Sequence, residues 1–136
     1  MATARVTYLG SLRTENTHLK SGTVIETDAP VDNKGKGMRF SPTDLVATAL
    51  CDCMLTIMGI AAQEQGFSID GATAEVEKVM SDSPPRRIAK VIIRVDLTMC
   101  TLTEKQRRLL NAVPPLCPVS LSLHPSIVQD VQLKFE

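Results

Sequence analysis

Two cysteines, Cys53 and Cys117, carry the chemistry that this chain is equipped to do. Cys53 sits inside the most apolar stretch of the sequence, and Cys117 belongs to the segment Leu116-Cys117-Pro118-Val119-Ser120, which reads as the start of a short helix. A thiol reacts as its thiolate, and a positive neighbour or a helix N-terminus favours that form. If the fold brings the two together, they make a dithiol that reduces an oxidant and is itself oxidised to a disulfide. Cys117 meets the helix-start condition from sequence alone. Cys53 lies about three turns into its helix and needs a cation from elsewhere, for which Arg13, Arg39, Arg86 and Arg87 are the candidates that spacing leaves open. The bland alternative for a cysteine on an apolar helical face is a small inert core residue.

The remaining chemistry-bearing residues read as structural. Cys51 lies about 200° around the helix from Cys53, so the two cannot share a disulfide on a regular helix, and Cys51 is expected in the core. Cys100 reads as a strand-end or loop thiol. Asp52, the one charge between Asp44 and Glu64, is expected at an interface between subunits or at a polar pocket edge. His18 and His124 have no ligand-like spacing to a cysteine pair, so no zinc site and no cofactor is expected.

The elements that must position the cysteines belong to a chain of 136 residues, the size of one domain. Its hydrophobic fraction is 43% with no Trp, one Tyr and three Phe, so the core is aliphatic and methionine-rich. Fifteen basic and fifteen acidic residues leave no net field to draw in nucleic acid or an anionic membrane. Leu45 to Ala62 is apolar but carries a central Asp52, which costs about 3 kcal/mol in a membrane, so a buried helix is the expected reading. The N-terminal residues lack the basic segment and apolar run of an export signal, which points to the cytoplasm and to reduced thiols.

Arg5 to Leu9 and Gly22 to Thr27 read as strands joined by a polar turn around Ser11 to Thr17, and Asp28 to Gly37 as a mobile loop. Ser41-Pro42-Thr43-Asp44 is a helix start with a capping-box-like pair, and the helix runs to about Gln65 with Gly66 as its left-handed terminator. Ala74 to Met80 and Lys90 to Leu97 read as paired strands. Thr103 caps a second helix through about Ala112, Pro114 and Pro115 end it, Cys117 to Leu123 makes a helical turn, and Ile127 to Phe135 alternates as a last strand. The sum is one α+β domain.

The run Ser41-Pro42-Thr43-Asp44-Leu45 leading to Cys53, then Pro84-Pro85-Arg86-Arg87 before a strand, then Leu102-Thr103-Glu104 and Cys117-Pro118-Val119-Ser120, resembles the OsmC/Ohr family of thiol-dependent hydroperoxide reductases. The resemblance implies antiparallel sheets packed on two central helices in an intertwined homodimer. It also implies that Cys53 attacks a peroxide to become a sulfenic acid, that Cys117 condenses with it to a disulfide, and that a dithiol or lipoyl-type reductant resets the pair. An arginine of the first hairpin is the implied activator of Cys53; Arg13 is the nearest match, with Arg5 and Arg39 as alternatives. A methionine-rich apolar pocket suits an organic hydroperoxide better than hydrogen peroxide, because the organic tail gains burial.

One position departs from the pattern. Ten residues before Cys53, the peroxidatic members carry a glutamate that pairs with the arginine, and here the residue is Thr43. That leaves the arginine less well held or held by Asp44, whose simpler role is the helix cap. The departure keeps a second reading in play: a non-catalytic dimer of the same fold that binds a small apolar or thiol-containing ligand.

Overall fold

The computed structural model describes residues 1–136, which fall into two units, Met1–Val46 and Ala47–Glu136. In the first, three strands form an antiparallel sheet in chain order: β1 (Ala4–Gly10), β2 (Arg13–His18) and β3 (Val24–Asp28). The middle strand covers most of the stretch expected to be a polar turn. Its sequence, Arg-Thr-Glu-Asn-Thr-His, has no apolar residue for hydrophobic alternation to register, yet its Thr residues suit a pleated backbone. The actual turn is confined to Gly10, Ser11 and Leu12, all at positive φ, beside an irregularity between Tyr8 and Gly10.

The segment after β3 is tied down where a mobile loop was expected. Val31–Asn33 forms a 3-10 turn, the Gly35 N–H donates to the Pro30 carbonyl, and the Gly37 N–H donates to the Ala29 carbonyl. At Gly35 an added Cβ would lie 1.7 Å from the Ala29 carbonyl oxygen, so no other residue fits this fold-back.

Helix α1 (Pro42–Glu64) starts as its sequence dictates. The Asp44 N–H donates to Ser41 Oγ at 3.0 Å, and the Ser41 N–H donates to an Asp44 carboxylate oxygen at 2.9 Å. These reciprocal bonds satisfy helix-end donors that would otherwise be unpaired. Gly66, at φ 75°, terminates the helix.

In the second unit, β4 (Thr73–Met80) and β5 (Ile88–Asp96) pair antiparallel, and β6 (Val128–Lys134) joins β5 in parallel. A parallel neighbour requires a crossover. Here it consists of α2 (Glu104–Ala112), a 3-10 turn at Pro114–Leu116 and α3 (Pro118–Ser122). Thr103 and Gln106 complete a capping box at the start of α2. Leu50, Met54 and Met58 of α1 share one buried cluster with Val91, Ile93 and Val95 of β5 and with Leu97 and Leu110. The length and hydropathy of α1 would by themselves allow it to cross a membrane. In this fold Leu50, Met54 and Met58 supply the core, but only 33% of its apolar stretch is buried and Val46 and Ile60 are exposed, so the helix is not buried all round as its sequence suggests. The class is α+β, with two three-stranded sheets.

Candidate active site

Within the second unit, α1 presents Cys53 half-buried against the core, and Cys117 is the N-cap of α3, with none of its surface exposed. The local sequence explains that placement. Pro114 and Pro115 turn the chain after α2 into a 3-10 turn, which ends with the Cys117 N–H donating to the Pro114 carbonyl at 3.2 Å, and Pro118 then starts the next helix with its fixed φ. The fold brings Cys53 and Cys117 near one another, close enough for Cys53 to act on the ionisation of Cys117. All four cysteines are free thiols.

The sequence expectation that the helix start activates Cys117 needs correcting. Its Sγ does accept the Ser120 N–H, at 3.2 Å, and that bond favours the thiolate. Burial acts the other way and dominates, with nearby Cys53 adding to it, so the Cys117 pKa is raised. Cys117 therefore rests as a neutral thiol. Cys51 is buried, and burial followed by the nearby Asp52 charge pushes its thiol up as well. Asp52 is exposed, and Cys100 is partly buried just beyond β5.

Ser120 is itself gripped by β6. Its hydroxyl donates to Gln129 Oε1 at 2.6 Å, and Gln129 Nε2 donates back to the Ser120 carbonyl at 3.2 Å. Sequence reasoning missed Gln129, because the contact exists only once β6 closes in parallel beside β5. A cavity of about 290 Å³ borders Gln129, Met54 and Pro114. Neither Cys53 nor Cys117 lines it, so it is not a chamber in which a substrate would meet the dithiol.

In the first unit, Arg13 faces Asp28 across β2 and β3, with Nε and Nη2 donating to the two carboxylate oxygens at 2.7 and 2.9 Å. Asp28 is 1% exposed and also accepts the Met38 N–H at 3.1 Å. The Arg13 hydrogen bond, ahead of opposing burial, holds the Asp28 carboxyl below the usual carboxylate range. Asp28 was expected only as the first residue of a loop. The register that pairs it with Arg13 could have been found by treating Arg13–His18 as a strand. Among the other candidate arginines, Arg39 pairs with Glu26 at 3.1 Å, Arg87 donates to the Ile88 carbonyl and Ser126 Oγ, and Arg5 is exposed. No group of three or more His, Cys, Asp or Glu side chains converges on a point where a metal ion would be held.

A family model described as OsmC-like protein matches residues 35–132. A crystal structure from Psychrobacter arcticus, described as an osmotic stress induced and detoxification response protein, is similar at 48% identity and a TM-score of 0.93, covering 98% of this chain and 96% of that one. Two more distant structures share the fold. An organic hydroperoxide resistance protein OsmC from Legionella pneumophila aligns at 16% identity and TM-score 0.75, and the organic hydroperoxide resistance protein OhrB of Bacillus subtilis at 23% and 0.68, each covering 98% of both chains. No curated protein matches the chain.

Proposed function

The chain belongs to the OsmC-like family, and from that premise we propose that it is a cytoplasmic, thiol-dependent reductase of organic hydroperoxides that works through Cys53 and Cys117. The observation that carries the proposal is the nearness of Cys53, packed on the core from α1, to Cys117 at the α3 cap. The Cys53 thiolate attacks the peroxide O–O bond of ROOH, taking one oxygen to become a sulfenic acid while RO⁻ leaves and is protonated to ROH. Cys117 then attacks the Cys53 sulfur; the S–S bond forms as the S–O bond breaks, and water departs with the Cys117 proton. A dithiol or lipoyl-type reductant exchanges with the disulfide, is oxidised to its own disulfide and returns both thiols.

The raised pKa of Cys117 suits this division of labour: a neutral, buried partner does not compete with Cys53 for peroxide. Arg13 is the proposed cation for Cys53. Its two-point hold by Asp28 supports the catalytic reading over a mere binding module, because the loss of a glutamate at Thr43 does not leave Arg13 unheld. A homodimer is part of the proposal. One face of the first sheet carries Val6, Tyr8 and Ile25 at 60, 64 and 49% exposure, with Asn16 between Val6 and Ile25, and a second copy would cover these exposed side chains. The relative's description as a detoxification response protein agrees with the activity.

The test is consumption of cumene hydroperoxide by the protein with dihydrolipoamide as reductant. Multiple turnovers by the wild type, lost in Cys53→Ser, support the proposal. Turnover no faster than the reductant alone defeats it.

A further inference from the structure

We infer that Gln129 is a positioning residue for the resolving step, acting on Cys117 through Ser120. The inference rests on the dithiol reading above and extends it to a residue on a different element. Three hydrogen bonds form a chain: Gln129 Nε2 to the Ser120 carbonyl, the Ser120 hydroxyl to Gln129 Oε1, and the Ser120 N–H to Cys117 Sγ.

The first two bonds grip one residue at its backbone and at its side chain. That double grip fixes the Ser120 backbone, and with it the direction of its N–H. Ser122 of the same helix donates its hydroxyl back to the Pro118 carbonyl at 2.7 Å, whereas the Ser120 hydroxyl is committed to Gln129. An amide is needed for the task, since the clamp requires one acceptor for the hydroxyl and one donor for the carbonyl on the same planar group. The helix itself has only five residues, too few to hold its own geometry without outside support.

The chemical consequence falls on the second step of the cycle. Cys117 must give up its proton to attack the Cys53 sulfenic acid, and it does so in a site where burial opposes the charge. The Ser120 N–H, ahead of the Val119 N–H beside it, is in place to receive that charge as it forms on sulfur. With the clamp gone, the N–H is free to wander, condensation slows, and the waiting sulfenic acid meets a second peroxide molecule. Cys53 then takes a second oxygen to become a sulfinic acid as another ROH is released. Gln129 thus protects Cys53 from over-oxidation without touching either thiol.

The experiment compares wild type with Gln129→Leu, Gln129→Glu and Ser120→Ala, each checked for folding by its thermal transition. Two quantities are read: the pH midpoint of Cys117 ionisation, taken from thiolate ultraviolet absorbance as the difference between each protein and the same protein carrying Cys117→Ala, and the share of Cys53 found as sulfinic acid after one and five equivalents of cumene hydroperoxide. Absorbance needs no reagent to reach the buried thiol, so its midpoint reads anion stabilisation in the folded chain. Gln129→Leu should raise the midpoint by about one pH unit and slow disulfide formation about tenfold, the scale of one hydrogen bond to a charged atom. Gln129→Glu keeps the hydroxyl bond, loses the amide donor and adds a negative charge, so its midpoint should rise at least as far; Ser120→Ala should fall between wild type and Gln129→Leu. The sulfinic share should rise in the same order.

Folded variants whose midpoint and sulfinic share both match wild type overturn the inference. If Gln129→Leu fails to fold, the other two variants decide by the same readings. If the wild type forms neither sulfenic acid nor disulfide, the peroxidase reading falls, and the Cys117 midpoint alone then upholds or overturns the clamp.

Discussion

Arg13 and Asp28 are directly opposed across β2 and β3 and are joined by two hydrogen bonds of 2.7 and 2.9 Å, so a strand partner holds the candidate activating cation at two points. A forked pair of this kind fixes the guanidinium plane as well as its position.

The pair has a pH signature. The folded pKa of Asp28 lies below its unfolded value of about 4, so its contribution to stability is complete above that value and is lost as pH falls through the folded pKa. Thermal unfolding of Asp28→Asn between pH 6 and 3 should therefore show a shallower acid limb than wild type. Identical acid limbs would mean that the pair contributes no pH-dependent stability.

Cys117, together with Cys51, shapes the opposite limb. Its folded pKa is raised, so its contribution is complete below the ordinary thiol value of about 8.5 and is lost as pH rises through the folded value. Cys117→Ala should flatten the fall in stability between pH 8 and 10, measured by urea unfolding at fixed temperature. An unchanged alkaline limb would contradict the raised pKa.

The start of α1 is a stability device. Ser41 is 1% exposed and its hydroxyl accepts the Asp44 N–H, so Ser41→Ala should cost about 1 kcal/mol and lower Tm by about 3 °C. A variant melting with the wild type would show that another group satisfies the freed N–H.

How far the sequence could be read depended on whether a feature was local. The caps at Ser41 and Thr103, the terminator Gly66 and the proline stop at Pro114 lie within a few residues of what they control, and the helices begin and end close to where those residues indicate. β2 was hidden because a polar strand paired on both sides has no hydrophobic rhythm, and with it went the Arg13–Asp28 register. Gln129 was hidden because β6 reaches Ser120 only through a parallel crossover. The Cys117 pKa went astray for a related reason: a helix start is visible in sequence, while burial at that start depends on what packs over it.

The first sheet predicts an assembly. Val6, Tyr8 and Ile25 lie on one face of that sheet and remain exposed in the single chain, and sedimentation at micromolar protein should give twice the chain mass. Tyr8→Asp should shift the distribution toward the single chain. A wild type that sediments as one chain at all concentrations would remove the dimer from the account.

The most direct measurement of the central claim is intact mass and free thiol content of the reduced protein after one equivalent of cumene hydroperoxide, for wild type, Cys53→Ser and Cys117→Ser. The account predicts that wild type loses two thiols and about two mass units, that Cys53→Ser does not react, and that Cys117→Ser gains one oxygen at Cys53 and then a second with excess peroxide. A wild type that keeps all four thiols, or a Cys53→Ser variant that still forms a disulfide at the wild-type rate, would contradict it.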